Sequence, residues 1–279
     1  MSFAEQFALA LQALRVNKLR SGLSTLGIII SVAAVVAMQA VGAGASERMR
    51  QQWASLGSNR LVVFPGSSRS MGARHVGAGV TSTLTEADGE AIGELRGVQA
   101  VAPLLRVNAQ IVAGNQNWPS NVTGTTLAYL DIQAWRVRAG APWDVAAEVR
   151  GAKQCLIGQT VADQLFAGAD PLGSIIRIGQ TPCDVIGVLE VKGQGSWGQD
   201  QDDVVLAPLN AVRMRLSGQS AARARTVDQL LVTAFRPEDT ARLEREVSGL
   251  LRQRHRIAPG GEDDFGVRNL SEIARAAQA

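Results

Sequence analysis

The apolar positions fall into three regimes along the chain. From Phe3 to Leu14 they recur at helical spacing: Phe3, Phe7, Ala10, Leu11 and Leu14 stand at i, i+4, i+7, i+8 and i+11, one face of a helix. Glu5, Gln6, Gln12 and Arg15 lie off that face. From Ser21 to Ser46 no Asp, Glu, Lys or Arg occurs. A hydrocarbon core about 30 Å thick needs roughly 20 apolar residues at about 1.5 Å rise each, so the run predicts a transmembrane helix over 21–45. Beyond it, short apolar runs alternate with turn residues and helical stretches, the pattern of a folded domain.

The first two regimes read together. Residues 1–20 predict a cytoplasmic amphipathic helix lying in the membrane interface, with Phe3, Phe7, Leu11 and Leu14 on the lipid side. Lys18 and Arg20 anchor the cytoplasmic end of the span. Small residues line the span, and Gly27, Ser31 and Ala34 are the candidate helix-packing positions, because small side chains let helices approach closely in lipid. Ala43-Gly44-Ala45 fits a small-x-small cleavage site, but the apolar run exceeds the roughly 7–15 residues of a signal peptide. Arg15, Lys18 and Arg20 on one side are matched by Arg48, Arg50 and Arg60 on the other. A large domain translocates largely regardless of charge, so the expectation is a cytoplasmic N-terminus and an extracytoplasmic bulk.

The rest predicts an α+β domain. Met49, Trp53 and Leu56 continue at i, i+4 and i+7, so 46–57 reads as a stalk helix ended by Gly57-Ser58-Asn59. Leu61–Phe64 reads as a strand stopped by Pro65-Gly66, and 67–82 as a Gly/Ser-rich loop. Thr85 to Asp88 resembles a capping box; a helix then runs to Arg96, and a strand occupies Val98–Val107. The same strand–helix–strand grammar returns in Val227–Phe235, a helix from Pro237 to His255 with Leu243, Val247, Leu250 and Leu251 on its apolar face, and Phe265–Leu270. Two such units predict a split βαβ lobe of ferredoxin-like type, made of 58–107 and 223–270. Between them 108–222 reads as an inserted β-rich subdomain, with strands at 109–113, 121–124, 154–157, 175–178, 183–189 and 204–207 and a short helix at 160–166. Residues 271–279 begin a linker.

Composition narrows the chemistry. The 279 residues carry a net charge of +3 with only three lysines, and no basic stripe with interleaved aromatics suggests nucleic-acid binding. No P-loop is present. Gly193, Gly195 and Gly198 match G-x-G-x-x-G but run into Gln199-Asp200-Gln201-Asp202-Asp203, which repels phosphate and predicts a loop rather than a helix holding pyrophosphate. His75 and His255 are the only histidines and lack ligand spacing. Glu262-Asp263-Asp264 lacks the spacing of a calcium loop and reads as a solvated turn. Cys155 and Cys183, the only cysteines, each begin a predicted strand. Outside the cytoplasm they are either a candidate disulfide or two small buried hydrophobes. No catalytic, cofactor or metal set emerges.

Several stretches in order resemble one family. Asn17-Lys18-Leu19-Arg20, Leu26-Gly27-Ile28-Ile29-Ile30 and Val41-Gly42-Ala43-Gly44-Ala45 are similar to the opening of MacB-type ABC-transporter permeases, of the FtsX-like permease superfamily. The run from Leu56 to Gly66 resembles their passage into a periplasmic core domain. Leu172 to Ile178, Val185 to Leu189, Asp202 to Val205, Asp263-Asp264-Phe265 and Arg268-Asn269-Leu270 extend the likeness. The resemblance implies a bacterial inner-membrane permease subunit with a porter-like periplasmic domain and no cofactor. It works as a homodimer with an ABC ATPase, and in tripartite members with a periplasmic adaptor and an outer-membrane channel. In it the stalk, here Trp53 and Leu56, transmits ATP-driven motion to drive efflux. No ATPase region precedes the span, so a separate ATPase chain is expected. The chain stops where such permeases enter three further membrane helices, so it reads as the N-terminal part of one. The competing readings are a single-pass anchored periplasmic interaction or regulatory module and an anchored enzyme.

Overall fold

The computed structural model describes residues 18–55, 59–66, 83–195, 198–216 and 225–269. The interfacial positions Phe3, Phe7, Leu11 and Leu14, together with Leu56, His75 and the predicted 67–82 loop, lie outside the described residues. The chain divides into two compact units, Met1–Trp53 and Ala54–Ala279.

The described part of the first unit belongs to one helix, α1 (Lys18–Ser55), 38 residues long. It runs unbroken through the expected junction of span and stalk. Thr25–Gly42 within it has a mean hydropathy of 2.1 and none of it is buried. Leu26, Ile28, Ile29, Ile30, Val32, Val35, Val36 and Met38 are each more than half exposed. A helix of this length reaches about 57 Å at about 1.5 Å per residue, nearly twice a hydrocarbon core.

The second unit is built on one continuous sheet. β1 (Arg60–Pro65) is followed by α2 (Glu86–Gly93) and the long β2 (Val98–Ala113). Near the other end, β9 (Gln229–Ala234), a 3-10 turn at Pro237–Asp239, α7 (Thr240–Arg254) and β10 (Phe265–Asn269) repeat the motif. These four strands lie in the order β10–β1–β9–β2, all neighbours antiparallel. That is the ferredoxin-like arrangement the repeated grammar predicts. Leu61, Val63, Ile92, Val232, Leu243, Val247 and Leu251 form its buried cluster. The expected capping box is present: the Thr85 hydroxyl accepts from Asp88 N, and Asp88 returns a bond to Thr85 N.

Between β2 and β9 come β3 (Gln116–Thr125), α3 (Ala128–Ile132), β4 (Val137–Gly140), α4 (Val145–Arg150), β5 (Gln154–Ile157), α5 (Gln159–Phe166), β6 (Ile175–Ile178), β7 (Thr181–Leu189), β8 (Val204–Pro208) and α6 (Leu209–Arg215). The sheet continues from β2 as β3–β8–β5–β7–β4, with β6 bridging β2 and β7. Ile111, Val122, Ile157, Val161, Ile176, Val185 and Val205 lie in the second buried cluster. A third joins the two lobes, with Leu104 and Leu231 on one side, Leu156, Leu189 and Leu206 on the other, and Trp135 and Trp143 among them.

Three differences from the sequence reading have plain causes. The strands expected at 98–107 and 109–113 are one strand, because Leu105, Val107, Ala109 and Ile111 keep the two-residue period while Arg106, Asn108 and Gln110 face out. Helices α3, α4 and α6 were not predicted, since five to seven residues are too few to display a 3.6-residue period. In the 262–264 turn Glu262 is exposed as expected, but Asp263 pairs with Arg252 and Asp264 with His255, partners on α7 and at its end that local spacing does not show.

Candidate functional site

Within α1, Gly27, Ser31 and Ala34 are exposed along with Lys18. The Ser31 hydroxyl donates to Gly27 O at 2.9 Å, which satisfies it within the helix. A Cβ added at Gly27 meets nothing within 4 Å, so nothing in a single copy requires glycine there. Arg20 and Trp53 both lie in α1.

In the second unit β1 is the first strand, and it lies inside the sheet between β9 and β10. Asn59, just before it, is fastened twice to Ala234: its Nδ2 donates to Ala234 O (2.7 Å) and its carbonyl accepts from Ala234 N (2.9 Å). Arg60 donates to Gln133 Oε1 at 3.1 Å. Burial pulls the Arg60 guanidinium below its ordinary pKa, although Tyr129 opposes this. The chain of contacts continues. Lys192 Nζ donates to Gln133 O (2.7 Å) and stands 4.5 Å from the centre of the Trp135 ring. Burial, with Arg60 adding like-charge repulsion, brings Lys192 down to about 8, while Asp202 acts the other way. Asp202 in turn accepts from the Lys192 and Gly193 amides, both at 2.8 Å.

A second polar cluster holds α2, α7 and β10 together. Asp88, only 3% exposed, caps α2 and accepts from Arg254 Nε at 2.6 Å. His255 lies between two carboxylates, 2.7 Å from Asp264 through Nδ1 and 3.3 Å from Asp88 through Nε2. Burial opposes the charge on Asp88, but hydrogen bonds from Arg254, Thr85 and His255 outweigh it and lower its pKa. Burial likewise opposes His255 protonation, and Asp264 and Asp88 overcome it, raising the imidazole above its ordinary value. Sequence spacing hid this cluster, since Asp88 and His255 lie 167 positions apart.

Among the described residues no group of three His, Cys, Asp or Glu side chains is placed to hold a metal. Gly193, Gly195 and Gly198 form a loop, as expected, with Gly193 and Gly198 at positive φ and Gly195 N bonded to Gln199 O. An open cavity of about 570 Å³ is lined by Asn108, Gln110, Asn121, Gln199, Asp200 and Asp203 among others. A smaller one of about 180 Å³ lies beside Asn59, Arg60, Asp131 and Thr233. Cys155 and Cys183 are both buried thiols. The sequence reading named candidate membrane, packing and stalk positions and the two cysteines. It missed the Arg60–Gln133–Lys192 and Asp88–His255 clusters, whose only local signal was a strand or helix end rich in charge.

Known proteins give this geometry a context. Residues 21–250 match the family model described as the MacB-like periplasmic core domain. The chain is 36% identical, over 98% of its length and 45% of the relative's, to the macrolide export ATP-binding/permease protein MacB of Syntrophobacter fumaroxidans. It is 37% identical to the protein of the same name from Azoarcus sp., over 95% of its length and 38% of the relative's. The chain spans less than half the length of these curated relatives. Among solved structures, the periplasmic region of MacB from Actinobacillus actinomycetemcomitans superposes with a TM-score of 0.66 at 19% identity, covering 83% of this chain and 98% of that one. The extracellular domain of the noncanonic ABC-type transporter YknZ from Gram-positive bacteria gives 0.59 at 20% identity, covering 76% and 100%. At these identities the likeness is one of fold.

Proposed function

The chain belongs to the MacB-like periplasmic core domain family, and from that premise we propose that it is the N-terminal part of a permease subunit that passes ATP-driven motion from the cytoplasmic side of the inner membrane into its periplasmic domain. In this reading α1 spans the membrane with its N-terminus in the cytoplasm. Residues 1–20 lie along the inner leaflet through Phe3, Phe7, Leu11 and Leu14, and Lys18 and Arg20 hold the helix end. Gly27, Ser31 and Ala34 pack against neighbouring helices, including those of a second copy. An ABC ATPase drives it, and a periplasmic adaptor and an outer-membrane channel complete the export route.

The observation that carries this reading is the continuity of α1. One helix leads from the apolar span to Ser55, five positions before Arg60, which begins a strand held on both sides. A pull along β1 loads its ladders to β9 and β10 in shear, so all their bonds share the force and the lobe moves as a body. Trp53 and Leu56 lie in the stretch that carries the force. The porter-like lobe then comprises 58–107 and 223–270, the inserted lobe 108–222, and 271–279 leads back to the membrane.

The native gene product, tagged and extracted in detergent, tests this. Two permease copies should co-purify with a nucleotide-binding chain that confers vanadate-sensitive ATP hydrolysis. A single-copy protein without associated ATPase would overturn the proposal. Gly27→Leu should reduce dimer content several-fold without unfolding the domain, because the added side chain meets only a neighbouring helix. Unchanged dimer content would refute the packing role.

A further inference from the structure

We propose that Cys155 and Cys183 are joined by a disulfide in the mature protein, stapling β5 to β7 inside the inserted lobe. The inference rests on the reading that this lobe lies outside the cytoplasm, where thiols are oxidised.

The two cysteines are the only ones in 279 residues, and the fold brings them together. They lie on neighbouring parallel strands, where Cys155 stands opposite Val185. Side chains two apart on a strand share a face, so Cys183 points the same way as Val185, toward Cys155. Both belong to one buried cluster, at 0% and 5% exposure. The Cys155 sulfur donates to Asp184 O at 3.5 Å, the carbonyl of the residue next to Cys183. The ladder shifts register directly after Cys155, where Leu156 faces Gly187. Burial above all, and then a hydrogen-bonding contact with Cys183, raises the Cys155 thiol well above its ordinary pKa. In the finished core the Cys155 thiol is therefore a poor nucleophile.

That last point fixes when the bond forms. The oxidant is a periplasmic thiol–disulfide oxidoreductase. One cysteine thiolate attacks its disulfide to give a mixed disulfide, and the second cysteine displaces the enzyme. Two electrons and two protons leave the substrate, and the enzyme departs as a dithiol. The exchange needs exposed thiols, so it precedes the docking of β5 on β7. Afterwards the bond is sealed from reductant. It closes a loop containing α5 and β6.

The full chain is extracted from membranes after rapid acid quenching, then alkylated in denaturant with and without prior reduction. The expected result is no labelled cysteine without reductant and two with it. A proteolytic peptide pair carrying Cys155 and Cys183 should be lighter than the sum of its parts by two hydrogens. Dithiothreitol should leave the bond intact in the native protein and break it in denaturant. Reduction in denaturant followed by refolding should lower the melting temperature by about 5–10 °C. Two labelled cysteines without reductant, in cells whose spheroplasts lose the lobe to added protease, would overturn the disulfide and leave the proposed location standing. A lobe that added protease cannot reach would overturn the location, and with it the oxidation.

Discussion

In the lobe built on β10, β1, β9 and β2, a buried carboxylate is held by side-chain cations; in the inserted lobe it is held by backbone. Asp88 accepts from Arg254 and lies against His255, whereas Asp202 accepts from the amides of Lys192 and Gly193. The first arrangement contains an imidazole, His255, whose pKa is raised although burial opposes it. The second lies beside Lys192, whose ammonium burial brings down to about 8. The lobe that carries β1 therefore gains stability as His255 is protonated, and the inserted lobe gains it as Lys192 loses its proton. The inserted lobe also carries Cys155 and Cys183 in an apolar cluster. A third cluster containing Trp135 and Trp143 makes the two respond as one body.

The largest effects should come from breaking that joint or the first lobe's anion. Trp143 is 3% exposed and donates to Glu148; Trp143→Ala should cost about 3–5 kcal/mol and split a single urea transition into two. Asp88→Ala leaves Arg254 and His255 without their buried anion and strips the α2 cap, so a loss of about 3–5 kcal/mol is expected. Asp202→Asn keeps one acceptor for the backbone and should lose only about 1–2 kcal/mol. Equal losses in the two variants, measured by urea denaturation, would remove the contrast between the lobes.

A smaller effect concerns pH. The raised pKa of His255 means the folded state binds its proton more tightly than the unfolded chain. Its stabilisation is full below about 6.5 and disappears as pH rises through the folded value. The lowered pKa of Asp88 gives a contribution present above about 3.8 and lost as pH falls through its folded value. Thermal unfolding should therefore show greatest stability at mildly acidic pH, and His255→Gln should flatten the neutral-side decline. The smallest effect belongs to Lys192. With its folded pKa near 8 against 10.5, the unfolded chain holds the proton longer, so stability should rise slightly between those values. Lys192→Met should remove that rise.

Much of this fold was legible because its signals are local. The capping box at Thr85, the alternation of Leu230, Val232 and Ala234, and the helical spacing of Leu243, Val247 and Leu251 each declare an element within a few residues. Their repetition declares the ferredoxin-like lobe. The strand order was not legible, because β1 pairs with β9 across roughly 170 positions and nothing local encodes that. The polar clusters were hidden for the same reason. Arg60, Gln133 and Lys192 come from three distant segments and meet only once the third apolar cluster has formed. A one-turn helix such as α3, which supplies Gln133 at its end, leaves no periodic trace. Within α1 the proposed packing positions Gly27, Ser31 and Ala34 are readable as small residues, and a single copy leaves them exposed.

The central claim is that motion at the membrane reaches the periplasmic domain of two permease copies. Spin labels at Gln110→Cys, an exposed position on β2, in a Cys155→Ala, Cys183→Ala background would report the distance between the domains of two copies in the purified transporter. The account predicts a shift of that distance distribution when ATP and vanadate trap the ATPase. Identical distributions with and without trapped nucleotide, in a preparation that hydrolyses ATP, would contradict it.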